Sequence, residues 1–257
     1  GNRSAAPGVG AGVGSGVGGG VGVDGDDDEV GLHRDGFAVE EIRLSSVHNF
    51  RDVAGPGYAL RPSGSMTRGV VFRSTALSVG EEDLGVLERL GVTAVVDLRT
   101  GAEIERQPDV VPAGAEYVPI DVLGGHTSAA TLTTTGLVGV EEARREMAET
   151  YERFVLGDHE RGAFGRAMSV LAESSGPAIV HCTAGKDRTG TVVAMALSVA
   201  GASDEVISAD YLATGERIER VVERLMTIPA YADNLSGRAL AEHTPSPDTM
   251  PRLLAAI

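Results

Sequence analysis

Gly176-Pro177-Ala178-Ile179-Val180-His181-Cys182-Thr183-Ala184-Gly185-Lys186-Asp187-Arg188-Thr189-Gly190 is the stretch on which the reading of this chain turns. A short apolar run behind a Gly-Pro break suits a fully buried parallel strand that delivers an extended chain to His181. From Thr189 to Ala200 the residues are apolar almost all round (Val192, Val193, Met195, Leu197, Val199), and Gly201 follows as a stop. That pattern predicts a buried helix. The unit is therefore strand, tight loop, helix. Backbone N–H groups of such a loop and of the first helical turn have no partner within their own element, and together they favour an anion.

The loop holds the only cysteine and the only lysine of the 257 residues. A thiol at the mouth of an anion site, beside cations and a helix N-terminus, is expected to ionise readily and serve as a nucleophile. Arg188 offers a planar fork for two phosphate oxygens, and its charge matters most when the bond to the leaving oxygen stretches. Thr189 is placed to hydrogen-bond the sulfur at the second step, and Gly185 and Gly190 permit close backbone approach. A lone cysteine beside a buried strand is by default an inert core residue. A glycine-rich turn before a helix also suits a nucleotide loop, but the GxxxxGK[ST] spacing is missing here. Cysteine, five residues, arginine and then Thr-Gly is the more specific pattern.

Working outward, Gly69 to Arg73, Thr93 to Val96 and Glu116 to Ile120 read as further strands, the last two ending in Asp97-Leu98-Arg99 and Asp121. Ser78 to Glu81 reads as a capping box for a helix that stops at Gly91. Helices are expected over 140–156, 161–172, 204–213 and 216–226. The first carries a core stripe of Val140, Ala143, Met147, Tyr151 and Phe154, with Glu141–Arg145 and Glu149–Arg153 pairs opposite. Strands alternating with helices predict an α/β fold, a central mostly parallel sheet flanked by helices. Open parallel sheets place their sites at the carboxyl ends of the strands. Cys182, Asp97 and Asp121 are then expected near one rim.

Residues 1–36 are Gly/Val-rich and then acidic, too polar and too glycine-rich to repay ordering, and are expected to form a disordered tail. Residues 37–257 make one catalytic domain, whose end inside an apolar run suggests a truncated C-terminus. A net charge of −15 argues against nucleic acid and anionic membranes as partners. No apolar run is long enough to span a bilayer and no signal peptide is visible, so stable membrane insertion is not expected and a cytoplasmic location is. One cysteine rules out an internal disulfide and fits a reducing interior. The histidines show no ligand spacing, so neither metal nor other cofactor is expected. Nothing fixes the oligomeric state.

The loop HCTAGKDRTG resembles the signature of the cysteine-dependent protein tyrosine phosphatases. Its Lys-Asp pair before the arginine resembles the atypical bacterial branch that includes the mycobacterial tyrosine phosphatase B type. Asn49-Phe50-Arg51-Asp52 resembles the NFRD element of that branch. The resemblance implies a tyrosine phosphatase-like fold with a helical lid at its C-terminal end. It also implies hydrolysis of phosphotyrosine, and of phosphoserine or phosphothreonine, through a cysteinyl phosphate. Cys182 would be the nucleophile, Arg188 the phosphate clamp, and Thr183, Ala184, Gly185, Lys186 and Thr189 the cradle. Lys186 beside Arg188 also suits a doubly phosphorylated ligand, which keeps a phosphoinositide phosphatase open. A catalytically inactive phosphate-binding module is the non-enzyme alternative.

Hydrolysis through a thiophosphate needs an acid for the leaving alkoxide and a base for water, and one carboxyl can do both. Asp187 is the preferred acid, with Asp97 assisting. Asp97 has as its alternative an ion pair that orients Arg99 or Arg188. Asp121 resembles the acid of dual-specificity enzymes. Arg51 either reaches the pocket or pairs with Asp52.

Overall fold

The structure is a computed structural model that describes residues 42–125, 140–229, 231–232 and 244–256. The expected tail over 1–36 lies outside the described residues. Five strands, β1 (Arg51–Asp52), β2 (Val71–Ser74), β3 (Ala94–Asp97), β4 (Glu116–Pro119) and β5 (Ala178–His181), form one sheet in the order β1-β2-β5-β3-β4. All pairs are parallel except β1 with β2, so the sheet is mostly parallel, as its alternating pattern predicts.

Alternation along the strands divides the interior in two. Ala178 and Val180 of β5 and Ala94 and Val96 of β3 face Phe164, Ala167, Val192 and Leu197 on one side. Ile179, Val95 and Phe72 face Leu87 and Leu90 on the other. Both faces are covered, which is why β5 reads as a continuous apolar run. Each fully buried valine or leucine contributes about 1.5–3 kcal/mol.

The helices are α1 (Glu81–Arg89), α2 (Gly101–Arg106), α3 (Val140–Leu156), α4 (Asp158–Glu173), α5 (Asp187–Ala200), α6 (Asp204–Leu212), α7 (Ile218–Met226) and α8 (Thr249–Ala256), with a 3-10 turn at Gly215–Arg217. Among the described residues none is long and apolar enough to cross a membrane.

Several local expectations are corrected. The N-cap of α1 is Gly80, whose N–H donates to Ser46 Oγ, while Ser78 Oγ accepts from Gln107. The true capping box is Thr100 with Glu103 at the start of α2, a helix the hydrophobic pattern did not announce because it is only six residues long. On α3 the ion pairs run i to i+3, Glu141–Arg144 and Glu142–Arg145, and Arg153 turns to Glu160 of α4. Phe154 is buried, but the side chains of Val140 and Ala143 lie outside the described residues. Helix α5 starts at Asp187, inside the loop, and Val199 at its far end is 83% exposed.

Candidate active site

Register brings the ends of three strands level: Ser74, His181 and Asp97 are paired neighbours across β2, β5 and β3. Cys182 leaves β5 at this rim and α5 departs five residues later, so the loop is pinned at both ends by buried elements. Gly185 has φ +65°, and a Cβ there would sit 2.2 Å from the Ser74 carbonyl oxygen, so glycine is required where the loop crosses β2.

Donors outside the loop take its carbonyls. Ala76 N–H donates to Thr183 O at 3.2 Å, Asn49 Nδ2 to Gly185 O at 2.9 Å and, more weakly, to Ala184 O at 3.4 Å, and Arg73 Nη2 to Gly185 O at 2.7 Å. In a trans peptide the next residue's N–H points opposite to the carbonyl. With these carbonyls held outward, the N–H groups of Ala184, Gly185 and Lys186 turn to the concave side.

The NFRD element therefore braces the loop from behind. Asn49, in the left-handed region at φ 57° that asparagine tolerates, directs its amide to the loop. Arg51 does not pair with Asp52: its Nε donates to Asp210 Oδ1 at 2.9 Å and its Nη2 to Asp210 O at 2.8 Å. Burial, with the repulsion of Arg73, brings Arg51 down to about 10, so it stays charged at neutral pH. Asp52 instead accepts the N–H groups of Ala54 and Gly69. Arg73 pairs with the other oxygen of Asp210, which thus joins β1, β2 and α6 behind the loop.

Arg188 is fully buried, and Glu103 holds both arms of its guanidinium, Nη1 to Oε2 at 2.7 Å and Nη2 to Oε1 at 2.8 Å. Nη1 also donates to Leu98 O at 3.2 Å. Glu103 further accepts from Thr183 Oγ1 and from the N–H and hydroxyl of Thr100. Burial alone would raise the Glu103 carboxyl, but Arg188 and these donors outweigh it and hold it below its ordinary value. Glu103 sets the plane of the clamp, and it was not among the residues picked from sequence. Its visible signal was T-x-x-E directly after Asp97-Leu98-Arg99.

Asp97 is fully buried in the orienting ion pair. Arg99 Nε and Nη2 donate to its two oxygens at 2.9 and 2.7 Å, and the Tyr117 hydroxyl adds a bond of 2.6 Å. Arg99 continues to Asp109 at 2.9 Å, and His181 Nε2 lies 3.0 Å from the other Asp109 oxygen. Although burial opposes it, Asp109 and Asp97 raise His181 above 6.5. Among the described residues Asp97, Asp109 and His181 form a cluster of metal-ligand type, and Arg99 supplies its positive charge. Both oxygens of Asp97 are thus committed to this network, which is the ion-pair alternative to assisting as an acid. Asp121 caps its own turn, accepting from the N–H groups of Leu123, Gly124 and Gly125.

Asp187 and Lys186 are also buried, at 7% and 6% exposed, but no arginine among the described residues holds them. They line one end of an open cleft of about 900 Å³ that runs between α3 and α8. Tyr151 donates to Asp187 Oδ1 at 2.9 Å, and Lys186 Nζ lies 3.6 Å from Oδ2. Thr183, Ala184 and Thr189 are buried with Cys182, which is 3% exposed. On the α7 side, Ile218, Val221 and Leu225 pack with Tyr231 and Ala184 in one apolar cluster.

A family model described as tyrosine phosphatase family matches residues 42–257. The chain is 35% identical over 205 residues to the triple specificity protein phosphatase PtpB of Mycobacterium tuberculosis, spanning 71% of this chain and 72% of that protein. It is 28% identical over 189 residues to a tyrosine-protein phosphatase of Nostoc commune, spanning 66% of this chain and 62%, under two thirds, of that protein. Among solved structures, TpbA of P. aeruginosa matches with a TM-score of 0.32 at 16% identity, covering 68% of this chain and 84% of that chain.

Proposed function

The chain belongs to the tyrosine phosphatase family and is a phosphatase, and from that premise we propose that it hydrolyses phosphate monoesters, phosphotyrosine and then phosphoserine or phosphothreonine, through a cysteinyl-phosphate intermediate. What supports this reading most is the bracing of the loop that Cys182 opens: Asn49 and Arg73 hold its carbonyls from outside and Glu103 holds Arg188.

In the first step the Cys182 sulfur forms a bond to phosphorus as the bond to the ester oxygen breaks, and Asp187 gives its proton to the departing oxygen. Arg188 and the loop N–H groups meet the negative charge on the transferring phosphoryl oxygens. In the second step Asp187 takes a proton from water, the water oxygen bonds to phosphorus, and the sulfur leaves with a hydrogen bond from Thr189. Support for Asp187 as the acid comes from its place at the end of the loop, where no arginine among the described residues holds its carboxyl, whereas Asp97 and Asp121 are spent on Arg99 and on a turn. Arg51 acts behind the loop as a brace.

A second substrate class, phosphoinositides, is favoured by Lys186, the one lysine of the chain, on the wall of that cleft. A reducing compartment, the cytoplasm, suits a nucleophile that has no second cysteine to protect it.

The test is hydrolysis of p-nitrophenyl phosphate in EDTA, with and without vanadate, by wild type and Cys182→Ser. Metal-independent activity, blocked by vanadate and lost in the variant by a factor of about 10⁴ or more, is expected. Activity that requires metal or survives in Cys182→Ser would overturn the mechanism.

A further inference from the structure

The Asp187 carboxyl is held by a residue that neither the loop motif nor the family match singles out. Tyr151, on α3, donates its hydroxyl to Oδ1 at 2.9 Å, and the same hydroxyl lies 3.2 Å from that of Tyr211 on α6. One phenol has one proton. The carboxylate is the stronger acceptor and the nearer one, so the proton goes to Asp187 and Tyr211 donates to Tyr151 in turn. Burial first, then Asp187 and Tyr211, raise Tyr151 well above 10. The phenol is therefore a permanent donor across the working pH range.

Both rings are fixed. Tyr151 meets Phe154 edge-on with centroids 5.4 Å apart, and Phe154 meets Phe164 in the same way at 5.2 Å. Tyr211 lies against the start of α5, where a Cβ on Gly190 would come within 3.0 Å of its ring. A chain of hydroxyls thus runs from α6 through α3 to the loop.

We propose that Tyr151 is the positioning residue of the acid step, fixing Asp187 by Oδ1 so that Oδ2 carries the transferable proton toward the cleft. A proton on Oδ1 would face the Tyr151 proton head-on. The hydroxyl therefore selects which oxygen is protonated as well as its direction. Oδ2, beside Lys186, is the oxygen left to serve a leaving group. Atoms balance as in the first step above: the proton leaves Oδ2 for the ester oxygen, and Tyr151 keeps its own throughout.

The inference rests on Asp187 being the acid, and the experiment separates the two. Tyr151→Phe keeps the ring and its packing. Wild type, Tyr151→Phe and Asp187→Asn are compared on phenyl phosphate, whose leaving group needs a proton, and p-nitrophenyl phosphate, whose leaving group does not. Vanadate inhibition reports the state of the loop. Expected for Tyr151→Phe is a loss in kcat/KM, which reports the step that releases the alcohol, of about tenfold on phenyl phosphate and at most about twofold on p-nitrophenyl phosphate, with vanadate inhibition within about twofold of wild type. Asp187→Asn should show the same selectivity more strongly, by a factor of about 10². If Asp187→Asn is selective and Tyr151→Phe is not, or loses vanadate binding, the positioning role is wrong. If Asp187→Asn lowers kcat/KM of both esters equally, the acid itself is misassigned and this inference goes with it; kcat, limited by the shared second step once its base is gone, falls for both esters alike.

Discussion

The floor of the site and its mouth are built on opposite principles. Below and behind the loop, charges come in closed pairs with almost no solvent contact: Arg188 with Glu103, Arg73 with Asp210, Arg99 with Asp97 and Asp109. At the mouth, Asp187 and Lys186, little exposed as well, are 3.6 Å apart on the wall of a cleft, and one hydroxyl rather than a guanidinium steers the carboxyl. The difference teaches where each property resides. A phosphate cradle must not reorganise during the reaction, so its cations are locked before substrate arrives. An acid must give up and regain a proton, so its carboxyl cannot be bound by a full cation on both oxygens.

The sharpest way to break this division is to open the floor. Glu103→Gln keeps the shape and removes the charge that fixes Arg188, leaving a buried guanidinium with a neutral partner. The expected loss in kcat/KM is about 10²–10³, equal for phenyl and p-nitrophenyl phosphate. Stability in urea should fall by about 3–5 kcal/mol, the usual cost of breaking a buried pair from one side. A loss confined to phenyl phosphate would mean that Glu103 serves the acid step, and the floor and mouth would no longer be separable.

A smaller effect should appear in stability against pH. Asp109 and Asp97 raise His181 in the folded state despite its burial, with Arg99 opposing them. The stabilisation from its protonation is therefore fully present below pH 6.5, the unfolded value, and is lost as pH rises through the raised folded value. Urea titrations from pH 6 upward should show this decline in wild type, and a flatter profile in Asp109→Asn. A wild-type profile that rises over the same range would contradict a charged His181 beneath Cys182.

How much of this was legible in the sequence follows from the range of each signal. The strand, loop and helix around Cys182 were readable because β5 is apolar on both faces and the loop residues are contiguous. The mostly parallel sheet followed from strands alternating with helices. The partners of the loop were not readable, since Glu103 and Asp109 come from the connection between β3 and β4 and Asp210 from α6, and only folding brings them to Arg188, His181 and Arg73. Arg51 shows the limit clearly: its neighbour Asp52 was the obvious partner, yet Asp210, 159 residues away, takes it. Tyr151 was read correctly as part of an apolar stripe, but its hydroxyl belongs to the site. A period of 3.6 places a ring on a face and carries no information about what its polar tip meets.

The central claim is that phosphoryl transfer passes through one sulfur. Acid-quenching the enzyme during turnover of p-nitrophenyl phosphate and mapping the peptides by mass spectrometry tests it directly. The peptide carrying Cys182 should gain one phosphoryl group, more abundantly in Asp187→Asn, where the hydrolysis of the intermediate loses its base. A phosphoryl group on any other residue, or none anywhere while p-nitrophenol is still being released in a burst, would contradict the account.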